Sequence, residues 1–135
     1  MKSTVTFKDG MHFNGVLQGF GIPLDADAQF GGQGKGVKPK DLVLTSLAGC
    51  TAMDVLAILR KMRLEPESFS VEAIGELTDE HPKIYKHIHL IFRVAGSGIT
   101  EEKVKKAAEL SQEKYCGVSA MLKPLVPISL EIEIE

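Results

Sequence analysis

Two residues dominate the reactive chemistry open to this chain: Cys50 and Cys116, 66 positions apart. Two thiols alone cannot make a disulfide framework or complete a four-ligand zinc site. An unperturbed thiol near pKa 8.5 is only about 3% thiolate at neutral pH, so a reactive cysteine needs a neighbourhood that favours the anion. Cys116 precedes Gly117, where a helix is expected to break and a short one to begin. Backbone N–H groups at a helix start favour a thiolate. The plain alternative is a core cysteine under a helix turn. Cys50 lies in a long apolar stretch, where a free cysteine also serves as a small buried hydrophobe.

Other groupings carry less. Residues 31–36, GGQGKG, resemble a phosphate loop, but no Ser or Thr follows Lys35 and no parallel-sheet strand precedes it. A mobile loop near the site is the simpler reading. His87 and His89 share one strand face and offer two metal ligands, but no third is in view, so a solvated face is expected. Arg60, Lys61 and Arg63 close a helix, where cations complement the dipole.

The elements that must position the thiols follow from periodicity. Residues 4–8 and 11–18 alternate as strands around the Asp9-Gly10 hairpin signal, and a short strand is expected at 22–25 within a long Gly- and Asp-rich loop. Pro39 suits the first turn of a helix over 39–62. Residues 69–77 and 84–94 alternate as an antiparallel pair across the Asp79–Pro82 turn. Thr100 is an N-cap, with Glu101 and Glu102 in the first helical turn. Val104, Ala107, Ala108, Ser111 and Tyr115 share one face of that helix. A last strand spans 128–134. The order ββ(β)αββαβ reads as one α+β domain over residues 1–135.

Sixteen basic against eighteen acidic residues leave a net charge of −2, which excludes a general nucleic-acid binder. The N-terminal residues lack a continuous apolar run, so no signal peptide is expected, and a reducing cytoplasm is the expected compartment. Residues 42–59, LVLTSLAGCTAMDVLAIL, sit at the lower length limit for a membrane span. Asp54 within it and the absence of a basic anchor before Leu42 favour a buried helix over a membrane helix. A helix apolar all round needs cover all round, more than a chain of this size supplies, so a homodimer is expected.

Residues 39–55, PKDLVLTSLAGCTAMDV, resemble the first cysteine motif of the OsmC/Ohr family, and 111–122, SQEKYCGVSAML, resemble the second. The element order is similar along essentially the whole chain. The resemblance implies an intertwined homodimer, with long central helices wrapped by antiparallel sheets and active sites at the subunit interface. It implies a thiol-dependent peroxidase for organic hydroperoxides, with Cys50 peroxidatic, Cys116 resolving, and a dithiol or thiol as reductant. It calls for no metal or organic cofactor. Better characterised members activate the thiolate with an N-terminal Arg and a Glu at the start of the long helix. Here residues 1–59 contain no Arg, Lys40 stands at the Glu position, and Asp41 is the nearest acid. Asp41 lies roughly 13 Å along the helix from Cys50, too far to touch the thiol, and Lys35, Lys38 or Lys40 is the expected cation. Asp54, one turn from Cys50, would oppose a thiolate if ionised on the same face. The competing reading is an OsmC-like dimer without peroxidase activity that binds an apolar small molecule at the subunit interface.

Overall fold

The computed structural model describes residues 1–135, which divide by packing into two compact units, Met1–Val43 and Leu44–Glu135. In the first unit, β1 (Ser3–Asp9), β2 (His12–Leu17) and β3 (Phe20–Leu24) form an antiparallel sheet in sequence order. The β1–β2 register places Phe7 opposite Phe13, and their rings meet edge to face at 5.5 Å. The third strand begins two residues earlier than its periodicity suggests. Gln18 and Gly19 connect it to β2, and both have positive φ, 52° and 83°. Such two-residue turns match the twist of a hairpin, but a leading Gln is a weak signal for one.

The Gly-rich loop that follows is anchored rather than free. The buried Asp25 carboxylate accepts the backbone N–H groups of Ala26 at 2.8 Å and of Gln33 and Lys35 at 3.0 Å each. Asp25 thereby ties residues 33 and 35 to the end of β3. These donors, Lys35 first, hold its carboxyl below the usual carboxylate range. Gly32 lies so close to the Ala26 carbonyl that a side chain has no room there.

The second unit is built around α1 (Leu42–Lys61), entered through a 3-10 turn at Pro39–Asp41. The expected helix start at Pro39 is thus a tighter turn, with α-helical bonding from Leu42. Leu47, Thr51, Val55 and Leu59 recur every four residues and form its buried stripe. Other apolar positions of α1 stay at least partly exposed, with Met53 at 74%. By length and composition the segment Pro39–Lys61 could cross a bilayer. Of its apolar window 22% is buried within the chain, along the Leu47–Leu59 stripe.

The second sheet has the order β4 (Ser68–Leu77), β5 (Tyr85–Ala95), β6 (Ile128–Ile134). The β4–β5 pair is antiparallel as expected, but β6 runs parallel to β5, so this sheet is mixed. Alternation along β5 also shifts. A bulge pairs Glu76 with His87 and Leu77 with Tyr85, skipping Lys86. One extra residue exchanges the two faces, so Tyr85 is buried while Ile84 is 52% exposed. Gly75 makes room for the Tyr85 ring.

The helix α2 (Glu101–Leu110) starts at the expected cap, where the Thr100 hydroxyl accepts the Lys103 N–H at 3.3 Å. It buries Val104, Ala107 and Ala108. A π-helical turn at Ser111–Tyr115 then separates it from α3 (Gly117–Leu122). The break falls where it is expected, at the extended Cys116 with the short helix starting at Gly117; the widening of the turn before it is the unexpected feature.

Candidate functional site

The two cysteines come together despite their distance in sequence. Cys50 sits in the middle of α1, half-buried, and Cys116 is buried at the N-cap of α3. The sulfur atoms of both and a carboxylate oxygen of Asp54 all lie within 4.8 Å of one another. Cys50 and Asp54 are four residues apart, so α1 presents both on one side, and the π turn delivers Cys116 opposite them. Wide turns of this kind recur at functional sites because they re-aim side chains within a helix.

The helix start does act on Cys116: the Ser119 N–H donates to its sulfur at 3.3 Å. Burial outweighs that contact. Desolvation pushes the Cys116 thiol up to about 11, with the neighbouring Cys50 adding to the rise. The expected lowering is therefore reversed, and Cys116 remains a thiol at neutral pH.

Behind the cysteines runs a chain of buried polar groups. The Ser111 hydroxyl donates to the Asp54 carboxylate at 2.9 Å. Ser111 has a single hydroxyl proton, so its 2.8 Å contact with Thr51 is donated by Thr51. The Gln112 amide donates to the Thr51 oxygen at 3.1 Å, and the Ser119 hydroxyl donates to the Gln112 carbonyl at 2.7 Å. All donors point one way, from α3 through the π turn to the carboxylate, an order in which each bond polarises the next. Lys123 donates to the Gln112 backbone carbonyl at 2.6 Å and covers the π turn. No buried side-chain polar atom in the chain lacks a partner.

Two openings flank α1, and only the smaller, which contains Asp54, reaches this cluster. A groove of about 360 Å³, on the side of the helix away from Cys50, is lined by Leu44, Thr45, Ala48, Gly49 and Ala52 of α1 and by Val71 and Ala73 of β4. On the opposite side, a cleft of about 110 Å³ is bounded by Asp54, Ala57, Ile58, Lys61 and Tyr115.

The other sequence candidates lie elsewhere. Asp41 occupies the 3-10 turn ahead of α1, outside the cluster of donor atoms. Lys35 pairs with Asp9 at 2.7 Å and Lys38 with Asp27 at 2.6 Å. His87 and His89 both contact the Ser129 hydroxyl, at 2.9 and 2.6 Å, and His89 also contacts Glu131 at 2.9 Å. They are knitted into the β5–β6 surface. Thr51, Ser111, Gln112 and Ser119 escape a sequence reading that looks for nucleophiles and charges. The available signal is that small polar residues flank both cysteines at helical spacing.

Residues 32–131 match the profile of the OsmC-like protein family. Over 135 residues the chain is 35% identical to Protein YhfA of Escherichia coli K12, covering 99% of this chain and 98% of that one. A solved structure of a hypothetical protein from Aquifex aeolicus VF5 superposes with a TM-score of 0.87 at 29% identity, covering 99% and 95%. An organic hydroperoxide resistance protein from Elizabethkingia anophelis shares the fold at 13% identity, with a TM-score of 0.77 and coverage of 98% and 94%.

Proposed function

The chain belongs to the OsmC-like protein family, and from that premise we propose that it is a thiol-dependent peroxidase for organic hydroperoxides, acting as a homodimer in the cytoplasm. One observation carries the reading: two free thiols of unequal exposure meet at one point, the half-buried Cys50 and the buried Cys116. That inequality orders the roles. Peroxide reaches Cys50 first, and Cys116 waits as a protonated thiol.

In the proposed cycle the Cys50 thiolate attacks the peroxide. A sulfur–oxygen bond forms, the O–O bond breaks, and the alkoxide leaves as the alcohol after taking a proton. Cys50 is then a sulfenic acid. The Cys116 sulfur attacks the Cys50 sulfur, and hydroxide departs with the Cys116 proton as water. A dithiol reductant restores both thiols by two exchanges. The sulfurs approach within 4.8 Å, so closing the bond takes a local shift of the side chains. The apolar helix around Cys50 suits an alkyl hydroperoxide better than hydrogen peroxide.

Dimerisation is supported by apolar surface within each unit. Val5, Phe7, Met11 and Phe20 of the first are exposed, as is Met53 of α1. Patches of this kind mark contact surfaces.

The deciding experiment measures consumption of cumene hydroperoxide with a dithiol reductant, against hydrogen peroxide. Preference for the organic peroxide, lost in Cys50→Ser, is the expected result. Unchanged turnover in a folded Cys50→Ser protein overturns the assignment. Light scattering at micromolar concentration is expected to give about twice 14.7 kDa, and a stable monomer refutes the dimer.

A further inference from the structure

The geometry points to a second use of the same three side chains: we propose that reduced Cys50, Cys116 and Asp54 bind one divalent cation of the Zn²⁺ class. The donor set is two sulfurs and one carboxylate oxygen, mutually within 4.8 Å. Around a tetrahedral zinc with Zn–S near 2.3 Å, sulfur ligands stand roughly 3.8 Å apart. The side chains thus need only a small inward shift to share one ion.

Three further observations favour a built site. Ligands of metal sites are themselves held by outer hydrogen bonds. Ser111 already donates to Asp54 at 2.9 Å, and the Ser119 N–H to the Cys116 sulfur at 3.3 Å. The cleft bounded by Asp54, Lys61 and Tyr115 supplies an entry path. Finally, three groups able to carry negative charge converge here, and a divalent cation neutralises what they otherwise oppose in one another.

On binding, two sulfur–hydrogen bonds are exchanged for two sulfur–metal bonds, and two protons pass to solvent. Asp54 gives one oxygen, and a water completes the fourth position. Nothing is oxidised. Thiolate ligands select zinc or cadmium over magnesium and calcium, which require oxygen ligands. The same sulfurs joined as a disulfide offer no thiolates, so the site exists only in the reduced protein.

The test titrates reduced protein with Zn²⁺ by calorimetry and with Cd²⁺ by its sulfur-to-metal charge-transfer absorption. One ion per chain is expected, with a cadmium band reporting two thiolates. Mg²⁺ at the same concentration is expected to give no heat. Asp54→Asn keeps the shape and an acceptor for Ser111, and is expected to weaken Zn²⁺ at least tenfold. Cys50→Ser or Cys116→Ser is expected to lose the two-thiolate band. Absence of binding by the reduced wild-type protein overturns the proposal. So does unchanged affinity in Asp54→Asn with a wild-type melting curve. No step uses a peroxide, so a protein that binds zinc without turning over hydroperoxide refutes the peroxidase reading alone, and the converse result refutes only this one.

Discussion

The Ser119 backbone N–H reaches the Cys116 sulfur at 3.3 Å, yet the thiol it contacts is held up at about 11. The two facts have one cause. The helix start that offers the N–H also buries the sulfur, and the loss of water costs the thiolate more than one hydrogen bond returns. Position at a helix N-terminus lowers a thiol pKa only where the sulfur keeps some access to solvent.

A pH dependence of stability follows. The folded Cys116 pKa, about 11, lies above its ordinary value of 9.0. The folded state therefore holds this proton where the unfolded chain has lost it. The contribution is complete below the ordinary value and is lost as pH rises through the folded one. Urea midpoints at about pH 8 and about pH 10.5 are expected to fall more in the wild-type protein than in Cys116→Ser. Equal falls in the two proteins refute the shift.

Thr51 joins the two halves of the polar chain. Thr51→Val keeps the volume but leaves the Gln112 amide without its acceptor and Ser111 without its donor. Thr51 is fully buried, so water does not replace them. A loss of about 1–3 kcal/mol is expected, read from urea denaturation. A change within a few tenths of a kcal/mol would show that the chain adds nothing to stability.

The seating of the Tyr85 ring against β4 depends on Gly75. A methyl group there drives into the Tyr85 ring. Gly75→Ala is expected to cost about 1–3 kcal/mol, the usual penalty of overpacking. In a Tyr85→Leu background the same substitution should cost less, because the colliding ring edge is gone. Additive effects in the double variant would show that ring and glycine do not interact.

Periodicity together with turn, proline and cap signals located the main strands and helices of this chain, because these elements alternate or repeat cleanly; the 3-10 helix at Ala28–Phe30 is not among those expected. What it missed came from single residues. Lys86 bulges out of β5 and moves Tyr85 to the buried face, which no alternation count detects. The π turn at Ser111–Tyr115 has no compositional mark, since Ser111-Gln112-Glu113-Lys114 also suits an α-helix. The parallel entry of β6 is a matter of topology, not of pattern. Within the site both thiols were legible as reactive atoms. Asp54 was legible by its one-turn spacing from Cys50, whereas the hydroxyl and amide groups behind it look like ordinary helix residues. Their role depends on a pairing between α1 and the turn after α2, 60 residues apart for Thr51 and Ser111.

The last prediction concerns Asp25, which reads in the sequence as one acid among several in a loop. Its two oxygens accept three backbone N–H groups and fasten the loop across residues 25–35. The Lys35–Asp9 pair reinforces the closure from the surface at 2.7 Å, but that pair is exposed and is screened by salt. Asp25 is buried, and its pKa is lowered by the Lys35, Ala26 and Gln33 donors in that order. A depressed pKa supports the folded state above the ordinary value of 3.8 and ceases to do so as pH falls through the folded value. Asp25→Asn replaces one accepting oxygen by a donor that faces N–H groups, so at least one of the three bonds must break. The loop should then open more often, with faster amide exchange at Gln33 and Lys35 at neutral pH, while exchange in β4 and β5 stays unchanged. In acid the wild-type loop should approach the variant, since protonated Asp25 also loses an acceptor. Exchange at Gln33 and Lys35 as slow in Asp25→Asn as in wild type would refute the clamp.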